Sequence, residues 1–279
     1  MMAIAAASFK EALRKKLFIL VAVVTLVYLI IFGIINYFVV KEIAGEGALG
    51  ALVVASTIVS FLGFYFSSML VALLTIMVSV GAISSEVESG VIHSVVTRPL
   101  KRSSYVLGKY LGLGVLSVAY AVLLFAAVIG ICAVFQLPII KALEPVNLIK
   151  GLLFFALEPL AILSLSIYGS TAFKTLSNGI FVVSIYILGL IGGMMEQIGT
   201  MLENQSVTNW GIFSSLISPF DVIYRQVLSS VFLNMGITNP FTMQGGGSAP
   251  SIWMLIYIFV YIPGLILLAI RKFKSKDIS

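Results

Sequence analysis

The chain has 279 residues, of which 60% are hydrophobic and only 10% charged, with a mean hydropathy of +1.14 and a net charge of +6. A water-soluble domain carries about 25% charged residues, so the composition excludes one. A single cysteine, Cys132, excludes an internal disulfide and a cysteine-based metal centre, and reads as a small apolar packing residue.

Residues 1–16 predict an amphipathic helix lying in a membrane interface. Phe9, Leu13 and Leu17 recur every four positions, while Lys10 and Arg14 mark another face suited to anionic lipid headgroups. The alternative is that these cations only orient the first span. Six apolar runs follow, at residues 17–40, 55–83, 104–135, 148–172, 178–198 and 252–270. Each reaches the roughly 20 residues needed to cross a bilayer as a helix. The first is too long for the apolar part of a signal peptide, and no small-x-small cleavage site follows it. The runs are continuous, whereas β-barrel strands alternate. The expected fold class is therefore an all-α polytopic membrane protein with six transmembrane helices, forming one domain over residues 1–279.

Charge sets the expected orientation. If the six spans alternate, 13 of the 17 Lys and Arg residues fall on one side, beside both termini. The positive-inside rule makes that side cytoplasmic. The predicted location is the cytoplasmic membrane, multi-pass, with both termini inside. Basic residues confined to helix ends also argue against nucleic-acid binding.

Between the second and third runs lies a charged island, residues 84–109. It opens with Glu86 and Glu88, has an apolar middle, and closes with Arg98, Pro99, Lys101, Arg102 and Lys109. The pattern predicts a short helix over about residues 85–97, with Val87, Val91, Ile92 and Val95 forming an apolar face. Its two acids sit near the helix N-terminus, where the dipole favours them. A plain solvated loop is the alternative. His93, the chain's only histidine, reads as a surface or interface residue.

In the fourth run Glu158 precedes Pro159. A carboxylate at membrane depth faces protein or a wet cavity. Two readings stand: a contact for a cationic substrate in a translocation path, or a protonated carboxyl bonded to backbone freed by the proline. Gly108-x-x-x-Gly112 and Gly189-x-x-x-Gly193 offer close helix contacts. Residues 199–251 make a long external connection containing an apolar stretch divided at Ser218-Pro219. That stretch predicts two short helices re-entering the outer leaflet, followed by a flexible tip at residues 244–250. Asn204-Gln205-Ser206 matches a glycosylation sequon by chance.

The chain contains no G-x-x-x-x-G-K-[ST] phosphate loop, since Gly108-Lys109 is followed by Tyr110. H-E-x-x-H is absent too, and the island's glutamates are not adjacent. No catalytic site, metal or cofactor is expected on this chain.

Glu86, Glu88, Gly90, Pro99, Arg102, Gly108 and Lys109, in that order, resemble the cytoplasmic loop of ABC-2 type permeases. Val91 stands where that family usually has Thr. Residues 218–225 are similar to the P-x-D-x-Y-R segment of some permeases, with one extra residue between Asp221 and Tyr224. The resemblance implies a non-catalytic permease subunit of an ATP-driven exporter. It implies that loop 84–103 carries a coupling helix, with Glu86, Glu88, Gly90, Val91, Val95, Pro99 and Arg102 receiving the movement of an ATPase. It further implies two copies of a separate ATPase subunit holding ATP and magnesium, and a second permease copy in a homodimer. The family's dimer interface involves spans one and five, which singles out Gly189 and Gly193. A subunit that passes conformational work to an external partner, an autonomous secondary transporter and, more remotely, an intramembrane enzyme are the competing readings.

Overall fold

The computed structural model describes residues 1–45, 49–91, 101–137, 140, 143–232 and 250–275. Among them are ten helices and no strand: α1 (Met2–Arg14), α2 (Lys16–Gly45), α3 (Leu49–Ser79), α4 (Ser84–Glu88), α5 (Arg102–Val134), α6 (Pro145–Ala172), α7 (Thr175–Met201), α8 (Gln205–Ile217), α9 (Phe220–Phe232) and α10 (Ile252–Lys274). Six of these segments are long and apolar enough to cross a membrane: α2, α3 with α4, α5, α6, α7 and α10. The chain is an all-α polytopic membrane protein. α3 and α5, with 31 and 33 residues, are each about 45–50 Å long at 1.5 Å per residue. That exceeds a hydrocarbon core of about 30 Å, so they tilt or project beyond it.

α6 is the axis of the bundle, packing against α3, α5, α7, α9 and α10. α2 and α10 lie at its periphery. Exposed leucines and isoleucines along them, such as Leu26, Ile30 and Leu267, are ordinary where the solvent is lipid, because hydrocarbon tails are as apolar as leucine. One aromatic cluster joins Phe61 and Phe64 of α3 to Phe125 of α5, Phe155 of α6 and Phe232 of α9. A second, at the other end of the bundle, joins Ile83, Tyr105, Val106, Leu163 and Phe273. Cys132 is fully buried, its Sγ 3.7 Å from Ser60 Oγ.

On α1 the buried residues are Ser8 and Ala12, while Leu13, like Leu17 just after it, stays open. The reason lies in α5, where Gly108 and Gly112 have no side chains. Ile4 packs over the first and the Ala5 carbonyl over the second. Small residues on both helices let the backbones meet, so this glycine pair is an intrachain seat.

The helix expected over 85–97 is corrected at Gly90. α4 ends at Glu88, and Gly90 adopts φ 74°, a left-handed conformation that glycine takes without a Cβ penalty. His93, Val95 and Pro99 lie outside the described residues, as does most of the tip at 244–250.

Candidate functional site

Four residues of the charged island converge on one end of the bundle. Glu86 of α4 accepts hydrogen bonds from Tyr105 Oη and Lys109 Nζ, both on α5. Lys109 is buried, and its Nζ also lies 3.5 Å from Glu11 Oε2 on α1. Glu11 pairs in turn with Lys15 at 3.3 Å. Burial opposes ionisation of Glu11, but Lys109 and Lys15 outweigh it and hold the carboxyl below its ordinary value.

Glu88 Oε1 accepts from Thr175 N at 2.7 Å, at the first residue of α7. This acceptor satisfies one of the amides that every helix start leaves open. At the opposite polarity, Arg102 Nη1 donates to the carbonyls of Phe273 and Lys274 at 3.3 and 3.0 Å, in the last turn of α10. Tyr105 stacks on Phe273 with ring centroids 5.5 Å apart. The island therefore ties α4 to α5 and α7, and the start of α5 to α1 and α10. The carboxylates of Glu86 and Glu88 serve these internal ties, whereas Val91, just past the Gly90 turn, is 51% exposed.

α3 and its continuation into the start of α4 meet α6 along a seam of hydroxyls. Ser170 Oγ accepts from the amides of Ile83 and Ser84, at 3.0 and 2.9 Å. Ser79 Oγ donates to Ser166 Oγ at 2.8 Å. Farther along, Ser68 Oγ donates to Glu158 Oε1 at 2.6 Å. Glu158 is 1% exposed, so the carboxyl is enclosed by protein.

The hairpin of α8 and α9 holds a cluster that sequence reading missed. Arg225 donates from Nη1 and Nη2 to Glu196 Oε1 and Oε2. Its Nε forms an ion pair with Asp221 Oδ2 at 2.8 Å. All three side chains are buried, and two carboxylates against one guanidinium leave the cluster one negative charge in excess when all are ionised. The only local hint was the four-residue spacing of Asp221 and Arg225. Glu196 lies 29 positions from Arg225, beyond the reach of any local pattern.

Gly189 and Gly193 are packed against residues of their own chain. A Cβ at Gly189 would strike the Ser218 hydroxyl, and one at Gly193 the Asp221 carboxyl. Gly189 is taken up by the α8–α9 connection and Gly193 by the first turn of α9. Gly192 and Gly199 receive α8 in the same manner, against Ser214 and Thr208. Asn204 is the N-cap of α8, its Oδ1 accepting from Ser206 N and Val207 N, which gives the sequon a structural role.

No curated protein matches the chain. Residues 2–278 match a family described as ABC-2 family transporter protein. With nearly its full length matched and six membrane-crossing helices, the chain belongs to the ABC-2 family of transporter proteins.

Proposed function

We propose that this chain is the permease subunit of an exporter in the cytoplasmic membrane, driven by two copies of a separate ATPase that bind ATP and magnesium. Two permease copies form the channel-bearing pair. The end carrying α1, α4 and the tail of α10 faces the cytoplasm, in keeping with the positive-inside rule, and the α8–α9 hairpin faces outward. The observation that carries the reading is the fourfold tie at the island. Glu86 and Glu88 tie α4 to α5 and α7, and Lys109 and Arg102 on α5 carry the contacts on to α1 and α10. A push on the segment around Gly90, Val91, Val95 and Pro99 would then reach most of the bundle through short polar contacts. ATPase closure would move α4 and tilt α3 and α5.

Purification of the complex from its native membrane tests the partnership. A Walker-motif ATPase should travel with the chain, and transport should require ATP hydrolysis. Replacing Glu88 with Gln should leave the complex assembled while lowering coupled transport several-fold. Recovery of this chain alone, with transport indifferent to ATP, would reject the reading in favour of an autonomous secondary transporter.

A further inference from the structure

Glu158 is a buried acid with an unfinished set of partners. Ser68 satisfies Oε1, but Oε2 accepts no hydrogen bond, and the buried hydroxyl of Tyr186 on α7 has no partner either. Pro159 follows immediately and lacks the amide that would close the α6 ladder onto the Phe155 carbonyl. No cation among the described residues pairs with Glu158. The buried guanidinium of Arg225 is committed to Glu196 and Asp221.

Surrounding elements bring hydroxyls rather than countercharges. Tyr186 of α7 and Tyr224 of α9 lie near Glu158, with Asp221 and Tyr65 of α3 near both and Tyr28 of α2 near Tyr224. The hydroxyls of Tyr110 on α5 and Tyr261 on α10 are spent on the carbonyls of Leu160 and Ile217. A lone ionised carboxylate in such surroundings is costly, and a neutral acid is not. A neutral acid has an O–H to place. Pro159 offers the Phe155 carbonyl no amide, which makes that carbonyl an acceptor the O–H can use.

We propose that Glu158 is a proton-binding site on the α3–α6 seam, carrying a proton while the seam is closed and releasing it to water when the seam opens. The O–H bond at Oε2 breaks, the electron pair stays on the carboxylate, and the proton leaves with entering water. Ser68 lies on α3, which leads into α4 through residues 80–83, so the proton's affinity is tied to how α3 sits on α6. The link to transport rests on the permease reading above; the protonation itself does not.

Infrared spectroscopy of the purified chain in lipid nanodiscs tests the site without any transport. The wild type should show a deuterium-sensitive carboxylic-acid carbonyl band at neutral pH that is absent from Glu158→Gln. Ser68→Ala should shift that band to higher frequency, because one hydrogen bond to the carbonyl is lost; this variant keeps the test valid if Glu158→Gln fails to fold. Identical spectra for wild type and Glu158→Gln from about pH 5 to about pH 9 would overturn the proposal. So would a Ser68→Ala band indistinguishable from wild type.

In the reconstituted complex, ATP-driven transport should vary with pH in the wild type and lose that dependence in Glu158→Gln. Matching pH profiles would overturn the coupling and leave the permease reading intact. Absence of ATP-driven transport from the wild type would strike the permease reading alone, since the infrared result stands independently.

Discussion

Arg225 on α9 grips Glu196 on α7 with a two-pronged fork, Nη1 to Oε1 at 2.9 Å and Nη2 to Oε2 at 2.8 Å. Planar matching of this kind belongs to arginine and is lost to lysine. Arg225→Ala strands two buried carboxylates, and breaking a buried pair from one side costs about 3–5 kcal/mol. Thermal unfolding in detergent should show that loss, with Arg225→Lys intermediate. A change below about 1 kcal/mol for Arg225→Ala would place the fork in a wet, screened site instead.

Gly193 is the position at which the hairpin approaches α7 most tightly. Gly193→Ala drives a methyl group into the Asp221 carboxyl, and overpacking of this sort costs about 1–3 kcal/mol. Gly33 has nothing within 4 Å of a Cβ placed there. Gly33→Ala should therefore be neutral or slightly stabilising, by about 0.5–1 kcal/mol from helix propensity. Equal unfolding temperatures for the two variants would contradict the packing described.

Gly112 seats α1. Gly112→Leu places a branched side chain where the Ala5 carbonyl rests, and α1 should lift from α5. A cysteine introduced at Ile4 reports this directly, because the native Cys132 is fully buried. Thiol labelling of Ile4→Cys should rise at least several-fold when Gly112→Leu is added. Unchanged labelling would show that α1 is held without this seat.

Acid should loosen the same helix. Burial disfavours the Glu11 carboxylate, but Lys109 and Lys15 more than compensate, so its folded value lies below the unfolded one. A depressed acid contributes stability above its unfolded value and loses it as pH falls through the folded one. Docking of α1 should weaken below about pH 4. Glu11 is half exposed, which limits the effect to at most about 1 kcal/mol. Labelling of Ile4→Cys after brief acid exposure should rise in wild type and be flat in Glu11→Gln.

Hydropathy revealed the spans because lipid demands long unbroken apolar runs. It was less informative about where helices begin. α3 starts at Leu49 rather than Ala55, and α7 starts at Thr175 rather than Asn178. Residues 49–54 are apolar or glycine, so that run simply begins earlier, whereas α7 opens through the polar Thr175 and Ser177 that a hydropathy reading discards. The gap between α8 and α9 was visible because Pro219 has no amide to give and restricts the residue before it. Glycine spacing showed where a helix could be approached, but not what would approach. Gly108 and Gly112 received α1, while Gly189 and Gly193 received the hairpin. Glu86 and Lys109 pair with each other across the island, yet Glu88 and Lys109 also reach Thr175 and Glu11, which lie 87 and 98 positions away. Periodicity carries no record of such pairings.

The hydroxyl seam between α3 and α6 has a mechanical consequence. Interhelical hydrogen bonds of this type average about 0.6 kcal/mol each in a membrane protein. The bonds at Ser68, Ser79 and Ser170 are spread along the seam. None of them dominates, so the two helices can part progressively, as a zip fastener does, with no single barrier to surmount. Reclosing restores the same bonds.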